Sequence, residues 1–174
     1  MQTSGILSPF RYVLLFAVLL LTQVLICNNI LLFGVAIPFI FIYFILVLPL
    51  NTGLNLLMGL AFMMGVLVDL FSDTLGLNAL ACLLLSVLKR PIYYAYMPKE
   101  DKHLDTSPGL TGMGWWNYLK YVLTMSAIYC FIIFGIELFS FASFQRILLM
   151  AASSTVFTVL LLLAADSIFN RKPE

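Results

Sequence analysis

The sequence predicts an all-α membrane protein in which six transmembrane helices form one bundle. Of the 174 residues, 63% are hydrophobic and only 10% are charged, against roughly 45–50% and about 25% in an average soluble domain. A soluble fold of this size buries only about two-thirds of the surface that its unfolded chain exposes. In a bilayer the apolar side chains can face outward, so we interpret residues 1–174 as a single integral membrane domain.

The helices are predicted from apolar runs, because a spanning helix needs about 20 consecutive apolar residues. The predicted helices cover 9–27, 32–48, 54–71, 75–97, 115–139 and 144–169. Asn28 and Asn29 end the first run, and Pro49 closes the second. Pro38 lies inside the second run, where it removes a backbone hydrogen bond and should kink or start the helix. Residues 98–114 form the one long polar segment, predicted to be a cytoplasmic loop.

The basic residues predict the topology. With the N-terminus in the cytoplasm, six helices place eight of the nine basic residues inside and only Arg146 outside, as the positive-inside rule expects. Five helices would put Arg171 and Lys172 on the side of Arg146 and blur this bias. The first run lacks the small-x-small pattern of a cleaved signal, so we expect it to be retained. The predicted location is the inner (cytoplasmic) membrane, with both termini in the cytoplasm.

The motifs of most catalytic and metal sites are missing from the sequence. Cys27, Cys82 and Cys130 are far apart in apolar runs, and His103 is the only histidine, so we interpret the three as small buried thiols. The sequence has no glycine-rich phosphate loop, no HExxH and no nucleophile with an adjacent base. We therefore expect no enzymatic activity and no cofactor or metal. The net charge of +1 gives no indication of a nucleic-acid partner.

Asp69 is the most informative single residue. An aspartate at a helix centre costs about 2.5–3.5 kcal/mol on insertion scales, and less toward the interface. Ala61, Gly65 and Asp69 recur at i, i+4 and i+8, so they share one helix face, and small residues on a face let another backbone approach closely. The favoured interpretation is that this face packs on another helix and that Asp69 satisfies a polar group there. The alternative is a carboxylate that touches water at the headgroups.

Other polar residues have structural interpretations. Asp73 is predicted to lie in the turn after the third helix and to cap the fourth, and Asn78 in the first turn of that helix has a similar role. A cation site or proton relay made of Asp69 and Asp73 is disfavoured, because no other ligands accompany them. Gln23 and Asn55 are expected to make interhelical hydrogen bonds.

Charged residues near the other helix ends are interpreted as surface groups. Glu137 and Arg146 lie at the predicted outer ends of the last two helices, where they could form an exposed pair worth at most about 1 kcal/mol. Asp166, near the inner end of the last helix, is expected to be interfacial.

The stretch from Pro38 to Ala81 resembles the rod shape-determining MreD family. That family has a proline entering the second helix and an aromatic and aliphatic run ending in Leu-Pro, here PFIFIYFILVLP. A glycine-rich third helix follows with G-x-x-x-D-L and then a turn into L-G-x-x-A-L. The residues that match these motifs are Gly65, Asp69, Leu70, Leu75, Gly76, Ala79 and Leu80. Asn51, where some members carry a basic residue, and the long cytoplasmic loop depart from the family pattern.

The resemblance implies a fold similar to the substrate-binding components of energy-coupling-factor vitamin transporters. It implies a non-enzymatic role in the cell-elongation machinery, scaffolding or regulating peptidoglycan synthesis among membrane lipids. The implied partner is an MreC-like protein, and through it the MreB filament, the RodA glycosyltransferase and a penicillin-binding transpeptidase. Together, the residue patterns and the resemblance give these structural or partner-binding candidates: Pro38, Pro49, Ala61, Gly65, Asp69, Asp73, Gly76 and Asn78. The alternative function is the substrate-binding membrane subunit of a vitamin-type transporter.

The topology is directly testable. A reporter fused after Glu174 and another inserted near Asp105 should both report a cytoplasmic position, because eight of nine basic residues lie on that side of the six-helix arrangement. Paired phosphatase and fluorescent-protein fusions measure this. An external position for either reporter would contradict the six-helix topology.

Overall fold

A computed structural model of the chain describes residues 9–27, 37–97, 113–137 and 144–169. Every regular element in these ranges is an α-helix, which confirms the all-α prediction for this part of the chain. The helices are α1 (Pro9–Leu25), α2 (Ile42–Val47), α3 (Leu54–Ser72), α4 (Leu77–Tyr96), α5 (Trp115–Glu137) and α6 (Phe144–Phe169). Three segments are long and apolar enough to cross a membrane: Leu54–Ser72, Trp115–Ile136 and Leu148–Ser167. Of the predicted loop over 98–114, only residues 113 and 114 lie within the described ranges.

The second predicted helix, over 32–48, differs from the structure. Its first five residues lie outside the described ranges, and residues 37–39 have no regular structure. The helix is limited to the six residues Ile42–Val47, about 9 Å at 1.5 Å per residue, against a hydrocarbon core about 30 Å thick. The described part of this run is therefore not a spanning helix. The physical reason is Pro38, which has no N–H and disfavours helical geometry in the residue before it.

The short helix α2 is the centre of the bundle. All six of its residues are buried. Phe44 packs edge-to-face on Phe16 of α1, with ring centroids 5.2 Å apart. Just before α2, the rings of Phe39 and Phe41 lie 5.0 and 5.8 Å from the ring of Tyr129 in α5. Large aromatic side chains contribute much of a core's buried area, so α2 and the segment before it hold the surrounding helices together.

Side chains of α6 satisfy the non-helical backbone that leads into α2. The N–H of Ile37 donates to Ser154 Oγ at 3.1 Å, and the N–H of Phe39 donates to Thr158 Oγ1 at 3.2 Å. Non-helical backbone at membrane depth is tolerated only where protein or water satisfies its polar groups. Ser154 and Thr158 are one turn apart on α6 and both are buried, so they act as a pair of acceptors for residues 37–39.

Gln23 of α1 satisfies the same backbone from the opposite side. Its Oε1 accepts the N–H of Ile40 at 3.0 Å, and its Nε2 donates to the carbonyl oxygen of Pro38 at 3.1 Å. The predicted interhelical role of Gln23 is confirmed, although its partner is the segment before α2 rather than a helix. Asn55 is exposed at the start of α3, and within the described ranges it makes no side-chain hydrogen bond.

Two basic residues of α4 hold the chain that leaves α2. Lys89 is fully buried, and its Nζ donates to the carbonyl oxygen of Leu48, the C-cap of α2. Arg90 Nη2 donates to the carbonyl oxygens of Leu50 at 3.0 Å and Thr52 at 2.8 Å. Carbonyl groups at a helix C-terminus lack intrahelical partners and carry partial negative charge. Lys89 therefore satisfies the C-terminal end of α2, and Arg90 fixes the connection from α2 to α3.

Replacing Gln23 should show how much the central segment depends on it. Gln23→Leu leaves the N–H of Ile40 and the carbonyl of Pro38 without their partner, and each buried unpaired group costs about 1–3 kcal/mol. We expect a clearly lower unfolding midpoint in detergent, measured by thermal or SDS denaturation. Thr22→Val is the matched control, because among the described residues the Thr22 hydroxyl bonds only to the carbonyl oxygen of Val18, in its own helix. Equal midpoints for the two variants would contradict this role.

Candidate functional site at the junction of α3 and α4

One face of α3 is buried along the length of the helix. The buried residues are Leu57, Ala61, Met64, Gly65, Val68 and Asp69. The predicted face of Ala61, Gly65 and Asp69 is therefore the face that packs inside the protein. The C-terminal part of this face, with Gly65 and Asp69, contacts the start of α4, which follows α3 after a short turn.

Gly65 allows α4 to begin in direct contact with α3. A Cβ atom at this position would lie 2.6 Å from the backbone N of Ala79 and 2.7 Å from the carbonyl oxygen of Asn78. Real Cβ atoms do not approach backbone atoms this closely, so any larger residue must push the two helices apart. Gly65 thus sets the distance between α3 and the first turn of α4.

The carboxylate of Asp69 caps the N-terminus of α4. Its Oδ1 accepts the backbone N–H of Asn78 at 3.0 Å, and its Oδ2 accepts the backbone N–H of Ala79 at 2.8 Å. The hydroxyl of Thr74 also donates to Oδ1, and the side chain is only 5% exposed. The first N–H groups of a helix lack intrahelical partners and carry partial positive charge. A carboxylate from the neighbouring helix satisfies both requirements.

Asn78 extends this network to α5. Its side-chain Nδ2 donates to Asp69 Oδ1 at 2.9 Å, and its Oδ1 accepts the hydroxyl of Tyr129. Tyr129 is fully buried and contacts the rings of Phe39 and Phe41. The α3–α4 junction is therefore connected through hydrogen bonds and ring contacts to the segment before α2. The carboxylate of Asp69 lies inside this enclosed network, so its position depends on α3, α4 and α5 together.

The predicted capping role of Asp73 is wrong. Asp73 is the residue after α3 and has a left-handed backbone with φ of 54°, its N–H donating to the carbonyl oxygen of Asp69. The N-cap of α4 is Gly76, also left-handed with φ of 81°. Asp69 reaches the α4 N–H groups instead, because the left-handed turn places Asp73 at the end of α3. Gly76 suits its position because glycine adopts positive φ at no steric cost.

The remaining sequence predictions have mixed outcomes. Asp166 is not a surface group: it is fully buried, and its Oδ1 accepts the hydroxyl of Tyr43 at 3.0 Å. The three cysteines are free and buried, as predicted. Pro49 follows the C-cap of α2, and its carbonyl oxygen accepts the N–H of Thr52 at 3.1 Å. The side chains of Glu137 and Arg146 lie outside the described part of the chain.

A half-open cavity of about 470 Å³ adjoins the junction. It lies between α1, the segment before α2, and the facing ends of α3 and α4, with one residue from α5. Its polar side chains are all uncharged: Gln23, Ser72, Thr74 and Asn78. Apolar residues, among them Val68 and Phe39, form the rest of the wall. Such a lining suits a neutral molecule with a few hydrogen-bonding groups better than an ion.

Several residues of this arrangement were missed by sequence reasoning. Ser154 and Thr158 could have been found, because two hydroxyl side chains at i and i+4 share one face of an apolar helix. Tyr129 gave no comparable signal, since α5 contains two other tyrosines in an apolar context and only tertiary contacts distinguish this one.

No protein-family model matches the chain, and no match is found among curated proteins or solved structures. The resemblance to the MreD family therefore stays a prediction from the motif residues.

Alanine substitutions on α3 distinguish the effect of the α3–α4 contact on stability from the effect of helix propensity. Gly65→Ala should destabilise the protein by about 1–3 kcal/mol, because the added methyl meets the α4 backbone. Gly59→Ala is the control on the same helix, since a Cβ there has nothing within 4 Å and alanine improves helix propensity by up to about 1 kcal/mol. Denaturation midpoints in detergent compare the two. Equal stability of Gly65→Ala and Gly59→Ala would show that α3 and α4 can move apart at Gly65 without loss of stability.

Proposed function

We propose that the chain is a non-enzymatic inner-membrane subunit of the bacterial cell-elongation machinery, which scaffolds or regulates peptidoglycan synthesis with an MreC-like partner. Through that partner it would act with MreB, RodA and a penicillin-binding transpeptidase. The proposal starts from the resemblance of Pro38–Ala81 to the MreD family. It includes an orientation with both termini in the cytoplasm, so that the α3–α4 junction faces the periplasm.

The observation that carries the proposal is the location of the motif residues. Gly65, Asp69 and Ala79 meet at one junction, and Gly76 begins the helix that Asp69 caps. A sequence motif whose residues position neighbouring helices is expected in a structural subunit. Both carboxylate oxygens of Asp69 already accept hydrogen bonds from the α4 backbone, so the acidic residue is engaged in packing rather than held ready as a base.

The junction also presents an apolar surface beside the motif. Leu70, Phe71 and Leu75 are all exposed, and Leu75 in the turn is completely so. The backbone of this turn is fixed by Asp69, which accepts hydrogen bonds from the N–H and the hydroxyl of Thr74. On this proposal the three side chains contact the membrane-anchored partner near the periplasmic surface. Asp69 would then act on partner binding indirectly, by holding the turn in place.

The cavity beside the junction favours one alternative, the substrate-binding membrane subunit of a vitamin-type transporter. Its volume of about 470 Å³ falls within the range of roughly 300–1,000 Å³ that is usual for small-molecule pockets. Its uncharged polar side chains would suit a neutral ligand. The cavity alone does not specify a ligand, whereas the resemblance specifies a partner, and for this reason the scaffold is preferred.

Affinity purification from native membranes distinguishes the two functions. The wild-type chain should co-purify with an MreC-like protein, and Asp69→Asn should largely retain it because its one amide oxygen can still accept one of the two α4 N–H groups. Asp69→Leu and Leu75→Ser should each lose most of the partner. Asp69→Leu should act by releasing the turn, and Leu75→Ser by removing an apolar contact with the partner. Quantitative mass spectrometry of the eluates measures this.

Leu75→Ser keeps the experiment informative if Asp69→Leu fails to fold, because Leu75 makes no contribution to the core. Recovery of a transporter ATPase pair in place of elongation proteins would favour the alternative function. Full partner recovery with both Asp69→Leu and Leu75→Ser would show that the junction does not contribute to partner binding.

A further inference from the structure

A second cavity lies at the opposite end of α3, on the outside of the bundle. It has a volume of about 440 Å³ and is walled by α1, the end of α2 and the first half of α3. Its lining is almost entirely apolar and includes Tyr12, Phe16, Phe44, Pro49, Leu56 and Leu60. We call it the α1–α3 groove. Thr52, in the turn before α3, closes one end.

Arg90 lies beside the end of the groove that Thr52 lines. The guanidinium of Arg90 is 2.8 Å from the carbonyl oxygen of Thr52. Within the described part of the chain only its Nη2 donates hydrogen bonds, whereas a guanidinium carries five N–H donors. Arg11 is exposed and directly precedes Tyr12, a lining residue. The groove is therefore apolar along its length, with Arg90 beside one mouth and Arg11 one residue before a lining residue of α1.

We propose that the α1–α3 groove binds an anionic phospholipid, with one acyl chain against the apolar wall and the phosphate between Arg90 and Arg11. Arginine pairs well with phosphate because its planar fork can donate two parallel hydrogen bonds. The mouth lies at the N-terminal ends of α1 and α3, which the basic-residue distribution places at the cytoplasmic leaflet. Anionic headgroups in that leaflet attract basic residues near the surface.

The dimensions favour a lipid chain over a helix of another protein. A helix with side chains is about 10–12 Å across and rises about 5.4 Å per turn. Three turns would therefore occupy on the order of 1,500 Å³, several times the 440 Å³ of the groove. A single acyl chain is slender and flexible, so a groove of this volume suits it better. The lipid would also reach the turn that Arg90 holds, so its binding should stabilise the connection between α2 and α3.

Native mass spectrometry of the detergent-purified protein tests the proposal with phosphatidylglycerol and phosphatidylcholine as probes. The wild type should bind one phosphatidylglycerol at least about five-fold more tightly than phosphatidylcholine, since each basic residue near an anionic lipid contributes about that factor. Arg11→Gln should remove most of this preference. Leu56→Trp, which fills the groove, should weaken binding of both lipids by five-fold or more.

Leu160→Trp is the matched control for Leu56→Trp. Leu160 on α6 is 59% exposed and Leu56 is 61% exposed, so both tryptophans face the membrane, but only one enters the groove. Lipid binding by Leu160→Trp should equal that of the wild type. Equal affinity of the wild type for the two lipids would overturn the anionic headgroup site. Equal binding by Leu56→Trp and Leu160→Trp would overturn the location in the groove.

Discussion

The structure depends on a short stretch of non-helical backbone in the middle of a helical bundle. Residues 37–41 lie among α1, α5 and α6, and apart from the carbonyl groups of Ile40 and Phe41, which accept from the first turn of α2, their backbone groups have no partner within a helix of their own. In an apolar environment each such group must find a partner in the protein or in trapped water. Gln23, Ser154 and Thr158 supply the partners. Because these three residues come from α1 and α6, satisfying the segment also positions those helices around it.

Side chains satisfy unpaired backbone groups in the same way after α2 and at the start of α4. Lys89 and Arg90 hold carbonyl groups after α2, and Asp69 holds N–H groups at the start of α4. In each case a side chain of one helix reaches the unpaired backbone end of another. Hydrophobic burial gives little preference for one helix arrangement in lipid, because lipid tails are as apolar as the core. Directional contacts between side chains and backbone then determine which helices meet and at what depth.

The sequence predicted features with a clear period or length. Five helices have ends within two residues of the predicted ones, since long apolar runs set their extent. The buried face with Gly65 and Asp69 followed from their spacing. Apolar length could not show that the second run is broken, because a buried chain in the bundle needs the same apolar residues as a spanning helix. The surroundings of Asp166 were also beyond prediction, since Tyr43 approaches it from 123 residues away.

The hydrogen bonds from residues 37 and 39 to α6 have a consequence for the order of assembly. Their partners lie 117 and 119 residues further along the chain. During synthesis, the centre of the bundle is therefore completed only after the last helix has been made. Until then the N–H groups of Ile37 and Phe39 must be satisfied by water or by the insertion machinery, even though α3 and α4 can already make the contacts that join them. Helix α6 thus completes the hydrogen bonding in the interior of the bundle and also forms part of its surface.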